Sequence, residues 1–194
     1  VGSGRDGSVF ACTSSGRGLR WAPTGWSAAP SAPLPASRVE GIGADDVWAV
    51  GTVRAPGAEF HQDEMATHYD GRSWSAPVKL PIGIHGYSVA DTWASGPNDI
   101  WAVGGGMAHF DGKEWKGVEG TFLYGSSDPS AVHGTGPNDV WFAGASELSH
   151  WDGVRMRKVE LPPSIRVGAL RTLRTRHIFV TGPNDVWMAG THGA

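Results

Sequence analysis

Short runs of alternating apolar and polar residues, interrupted every few positions by Gly, Pro, Asn or Asp, extend along the whole chain. No stretch sustains the 3.6-residue period or the cap pattern of a helix, so the pattern predicts an all-β protein. Four segments nearly coincide: Ala44 to Gly51, Pro97 to Gly104, Pro137 to Gly144 and Pro183 to Gly190. Each carries Asp, then Val or Ile, then Trp. Gly-Pro-Asn-Asp suits a type I turn, because Pro sets φ at the second position and Asn or Asp folds back on the backbone. The turn joins the Trp strand to a preceding strand, predicted at 38–43, 91–96, 131–136 and 177–182.

A second recurring element follows each Trp strand, at Thr67 to Trp74, Ala108 to Trp115 and Ser149 to Met156. Asp-Gly between alternating aromatic and polar residues predicts a tight hairpin with a type I′ turn, which needs positive φ at both central residues. Each unit is then four antiparallel strands, here A to D, with the Trp on B and Asp-Gly between C and D.

The signature Asp residues are spaced 53, 40 and 46 residues apart, the arithmetic of four-stranded β-propeller blades of about 40 to 45 residues. Val9 to Cys12 aligns with Val47 to Val50, and Trp21 to Ser27 with Tyr69 to Ser75, so a fainter copy opens the chain. The predicted organisation is a partial blade over 1–37, blades over 38–90, 91–130 and 131–176, and a partial blade over 177–194. Closed propellers typically have 4 to 8 blades. The expectation is therefore part of a larger ring, completed by other blades or by another chain. Nine of the ten tryptophans fall on three repeat positions, as residues packed between blades would; Trp93 is the exception.

Composition narrows the functional classes. The net charge of -3 gives no global reason to expect nucleic acid or an anionic membrane, and no run of about 18 apolar residues predicts membrane insertion. One basic segment, 155–177, holds seven Arg and Lys against Glu160 and is a possible polyanion contact, with a solvated outer strand as the plainer alternative. The single cysteine, Cys12, excludes an internal disulfide and leaves the redox compartment open. No local motif for a catalytic nucleophile, a metal or a cofactor is present, and no cofactor is expected.

The recurrent His68, His109 and His150 belong to different sheets about 10 Å apart, too far to share a metal ion, and are expected to be structural. Candidate ligand positions are those that vary between repeats. Six residues before each signature Asp stand Glu40, Trp93, His133 and Phe179 on strand A, and two residues earlier in three of those repeats Arg38, Asp91 and His177. Strand A lines the channel of a propeller, so Glu40, Trp93 and His133, with Arg38, Asp91 and His177, are predicted to converge there, either on a ligand or as channel packing. The second candidate is the insertion from Arg54 to Ala66, with Phe60 and His61 as contacts and His61, Asp63 and Glu64 as weak cation ligands.

With its Asp-x-Trp strand followed by aromatic-Asp-Gly and a Trp strand, the chain resembles the propeller repeats of exported myxobacterial proteins. It is also similar to tectonin-type lectin repeats and, more distantly, to the Asp-box repeats of sialidase-like propellers, although Asp and Gly are adjacent here. The resemblance implies a secreted, surface or periplasmic recognition module for a glycan or protein partner. The alternatives are a carbohydrate-active hydrolase or lyase with Glu40, Asp91 and His133 as acid and base, and a structural scaffold.

Overall fold

The computed structural model describes residues 2–3, 6–13, 15–54, 62–82, 88–119, 128–145, 147–161 and 173–192. Among them the chain is all β, in antiparallel sheets whose strands follow chain order. The first sheet comprises β1 (Gly2–Ser3), β2 (Val9–Cys12), β3 (Gly18–Ala22) and β4 (Gly25–Ala29). The second holds β5 (Arg38–Gly43), β6 (Asp46–Arg54), β7 (Gln62–Tyr69) and β8 (Val78–Lys79). The third holds β9 (Asp91–Gly96), β10 (Asp99–Gly104), β11 (Gly106–Phe110) and β12 (Trp115–Gly117). The fourth holds β13 (Ala131–Gly136), β14 (Asp139–Ala143), β15 (Leu148–Trp151) and β16 (Met156–Val159). The fifth has two described strands, β17 (Leu173–Gly182) and β18 (Asp185–His192).

Strand A of each sheet packs beside strand A of the next, β1 on β5, β5 on β9, β9 on β13 and β13 on β17, so the sheets fan out from a common axis. This is a β-propeller arrangement, as the repeat arithmetic predicts.

The apolar residues of strands A and B form the sheet-to-sheet core. Trp48 of the second sheet packs on Phe110 and Trp115 of the third, and Trp101 of the third on Phe142 and Trp151 of the fourth. Trp141 of the fourth packs with Ile178 and Val180 of the fifth. One sheet's indole thus fills the aromatic face of its successor.

The C to D turns differ from the predicted type. Gly71, Gly112 and Gly153 have positive φ (87°, 87° and 88°), but among the described residues no non-glycine residue does, which excludes type I′ at Asp70, Asp111 and Asp152. Four-residue loops close these hairpins instead. The leading Asp accepts two backbone N–H groups: Asp70 from Arg72 and Ser73, Asp111 from Lys113 and Glu114, Asp152 from Val154 and Arg155. Those bonds hold the carboxylate over its own loop, and only Gly then needs the left-handed conformation. The glycine also sits hard against the preceding A to B turn: a Cβ on Gly153 would lie 2.1 Å from Asn138 Oδ1.

Candidate functional site

The innermost strands surround a trough of about 790 Å³ that reaches from Gly2 on β1 to Ile178 on β17. Arg38, Glu40, Asp91, Trp93, His133 and His177 all line it, so the six predicted channel residues share one cavity. Arg176, not singled out by the strand-A comparison, lines it as well. It escaped because it stands next to His177 at a register shift between Thr175 and His177, an irregularity that residue spacing does not show.

Several of these side chains also tie one sheet to the next. Asp91 Oδ2 accepts the Val132 N–H at 3.0 Å, and His133 Nδ1 accepts the Val180 N–H at 3.1 Å. Arg38 donates from Nε to the Ala90 carbonyl at 2.7 Å and from a terminal nitrogen to the Ser37 carbonyl at 2.9 Å. An A strand has no ladder partner on its axial side, so its N–H and C=O groups there need such acceptors and donors. Trp93 is buried: its ring edge lies over Gly134, where a Cβ would come within 2.9 Å of the indole. His133 lies between Trp93 and Phe179, with ring centroids at 6.1 and 4.9 Å.

Burial perturbs two of the titratable groups. It pushes the Asp91 carboxyl above the usual carboxylate range, against the opposing pull of the Val132 and Thr92 N–H groups and the charges of Arg38 and His177. It pushes the His133 imidazole down. The trough therefore sets the exposed guanidinium groups of Arg38 and Arg176 and the imidazole of His177 beside the carboxyls of Glu40 and Asp91.

In the insertion, Phe60 and His61 lie outside the described residues. Asp63 pairs with Lys79 Nζ at 2.6 Å. Glu64 is buried; its carboxylate accepts from Thr52 Oγ1 at 2.7 Å and from the Val89 N–H at 3.3 Å, which gives it a structural task. Among the described residues no three His, Cys, Asp or Glu side chains cluster as a metal site would require.

In the basic segment, Arg155 and Arg157 pair with Asp152 at 3.8 and 2.6 Å, and Lys158 with Glu147 at 3.5 Å. Arg166 and Arg171 fall outside the described residues. The described cations of the outer strand thus meet acidic neighbours, while Arg176 joins the trough.

The recurrent histidines have a shared structural role. His68, His109 and His150 bond through Nε2 to Asp46, Asp99 and Asp139 at 2.7, 2.5 and 2.8 Å. Each imidazole lies against the signature Trp of its own sheet, with centroids 4.7, 4.1 and 4.4 Å apart. Burial opposes ionisation of Asp139, yet bonds from Thr135, His150 and Trp141 hold its carboxyl below the ordinary range. The repeat thus uses its most recognisable residues to lock strands A, B and C together.

No family model matches the chain, and no curated protein matches it. Among solved structures it is similar to YCF48 bound to D1 peptide, with 16% identity and a TM-score of 0.52 over 82% of this chain and 50% of that one. A weaker likeness, 13% identity with a TM-score of 0.34, covers 97% of this chain and 32% of the extracellular domain of the one-component system BT4673 from B. thetaiotaomicron. The chain spans half the length of the first of these structures. At such identity the YCF48 likeness bears on the fold, and it agrees with the propeller arrangement of the sheets. Among the described residues no helix is long and apolar enough to cross a membrane.

Proposed function

We propose that the chain is a non-enzymatic recognition module of an exported or surface protein, and that its trough takes an acidic segment or chain terminus of a protein partner. The observation that carries this reading is the gathering of Arg38, Arg176 and His177 on one concave surface built by consecutive sheets. Guanidinium groups suit carboxylates because their planar N–H forks match the two oxygens. The burial of Trp93 supports a peptide over a sugar, since an indole wedged between sheets offers little face for stacking on a pyranose. The likeness to YCF48 bound to D1 peptide fits the same class of partner.

The acid and base roles of the enzymatic alternative are less well supported. Asp91 and His133 spend an oxygen and a ring nitrogen on backbone N–H groups of the neighbouring sheet, which are bonds of assembly. Calorimetric titration against matched acidic, neutral and basic peptides, with acidic and neutral oligosaccharides in parallel, tests the proposal. Acidic peptides are expected to bind, and Arg38→Gln with His177→Gln to weaken them by about tenfold or more, the loss of a charge-assisted bond. Equal binding of all three peptide classes, or binding confined to the oligosaccharides, refutes the peptide assignment. Turnover abolished by Glu40→Gln would reinstate the enzyme.

A further inference from the structure

The junction between the second and third sheets is closed less completely than the one before it. In the first sheet the outer strand β4 pairs with β3 without interruption from Gly25 to Ala29, and Pro30 follows. The Pro30 carbonyl accepts the indole N–H of Trp74 at 3.0 Å. The space bounded there by Phe10, Tyr69, Trp74 and Pro30 is only about 10 Å³.

The outer strand of the second sheet is broken. Tyr69 pairs with Trp74, but pairing resumes only at Ala66 with Val78, so Ser75, Ala76 and Pro77 stand opposite Thr67 and His68. One residue is in excess, and Pro77 has no N–H to give the ladder. Ser75 bridges the gap: Thr67 Oγ1 donates to its carbonyl at 2.7 Å, and its Oγ accepts the His68 N–H at 3.0 Å. The consequence lies on the facing sheet. Trp115, the repeat equivalent of Trp74, has a buried indole N–H with no acceptor among the described residues, and an open cleft of about 540 Å³ takes the place of the closed seam.

The floor of this cleft is aromatic, formed by Trp48, Phe110 and Trp115 with Val78 at its side. Its mouth carries Lys79, Lys113 and Glu114. Asp63 pairs with Lys79 at 2.6 Å and Lys116 with Glu114 at 3.4 Å, which leaves the Lys113 ammonium as the charge without an acidic partner among the described residues. We propose that the cleft binds a small planar aromatic acid, its ring against Phe110 and Trp115 and its carboxylate on Lys113. A flat ring gains edge-to-face and offset contacts on such a floor beyond the burial of its area, and the volume is that of a small-molecule site. The cleft shares no lining residue with the axial trough, so this site is independent of the peptide reading.

Titration of naphthoate into the nitrogen-labelled chain, read on the indole N–H resonances, tests this. A dissociation constant of about 1 mM or below is expected for a ligand of this size. Trp48 and Trp115 should shift, whereas Trp93, which reports the trough, and the exposed Trp21, Trp26 and Trp187 should not. Neutral naphthamide and the non-aromatic cyclohexanecarboxylate should each bind about threefold or more weakly. Lys113→Gln should weaken naphthoate by about threefold, as for an exposed ion pair, and Val78→Phe, which fills the side of the cleft, should abolish the Trp115 shift. Both positions are exposed, so the variants should keep the wild-type far-ultraviolet dichroism. Shifts confined to Trp93 or to the exposed indoles, equal binding of naphthoate and naphthamide, or binding untouched by both substitutions overturns the proposal. So does a methyl glucoside that moves Trp115 where naphthoate does not.

Discussion

Trp101 and Trp187 occupy the same repeat position in different surroundings, and the comparison isolates what a neighbouring sheet contributes. Trp101 is 1% exposed, stacks on His109 at 4.1 Å and meets Phe142 and Trp151 of the next sheet. An indole that buries about 150 to 250 Å² gains about 4 to 6 kcal/mol at roughly 25 cal/mol per Å². Truncation to Ala keeps part of this and leaves a cavity, so Trp101→Ala should cost about 3 to 5 kcal/mol. Trp187, 67% exposed, buries about a third as much, and Trp187→Ala should cost about 1 to 2 kcal/mol. The difference of about 3 kcal/mol is roughly a hundredfold in the folding equilibrium. Urea unfolding followed by far-ultraviolet dichroism measures both without depending on indole fluorescence. Equal costs for the two substitutions, or a cost below about 1 kcal/mol for Trp101→Ala, would refute the reasoning that successive sheets are held by these indoles.

Asp91→Asn should leave stability at pH 7 unchanged or improved, because an amide oxygen still accepts the Val132 N–H and burial disfavours the ionised carboxylate that the amide replaces, whereas Asp91→Ala should cost about 1 to 3 kcal/mol by orphaning that donor. Denaturation midpoints of the two variants check this. Burial lowers the His133 pKa below the unfolded value of about 6.5, so the unfolded chain binds the extra proton first. Stability should therefore be intact above pH 6.5 and fall as pH drops from there through the folded pKa, and His133→Asn should flatten that part of the pH profile. Gly153→Ala should destabilise by about 1 to 3 kcal/mol, since it forces a φ of 88° on an L side chain and drives a Cβ into Asn138, and a shift in thermal midpoint reports it.

Much of the architecture was legible because its causes are local. The turn chemistry of Gly96, Pro97, Asn98 and Asp99 marks the A to B connection, and β9 and β10 begin and end where the residue pattern places them. The gathering of Arg38, Glu40, Asp91, Trp93, His133 and His177 was legible at one remove, since repeat position alone puts them on innermost strands. What those groups do there was not. Asp91 and His133 find acceptor duties on the backbone of a following sheet 41 and 47 residues away, and Trp93 finds a berth over Gly134. No pattern within a repeat encodes a partner in the next.

Strand alternation and turn preference act over a few residues and are written again in each copy, so the residue pattern alone set the all-β class, the four-stranded unit and its repetition. Tertiary structure decided the rest. It replaced the expected type I′ turns by Asp-headed loops seated against the A to B turns, and it gave Glu64 to Thr52 and Val89 rather than to a cation. It also made equivalent indoles differ, Trp101 sealed and Trp187 exposed, for a physical reason that one repeat cannot contain: burial is a property of what packs against a face, and that is set by the neighbouring sheet.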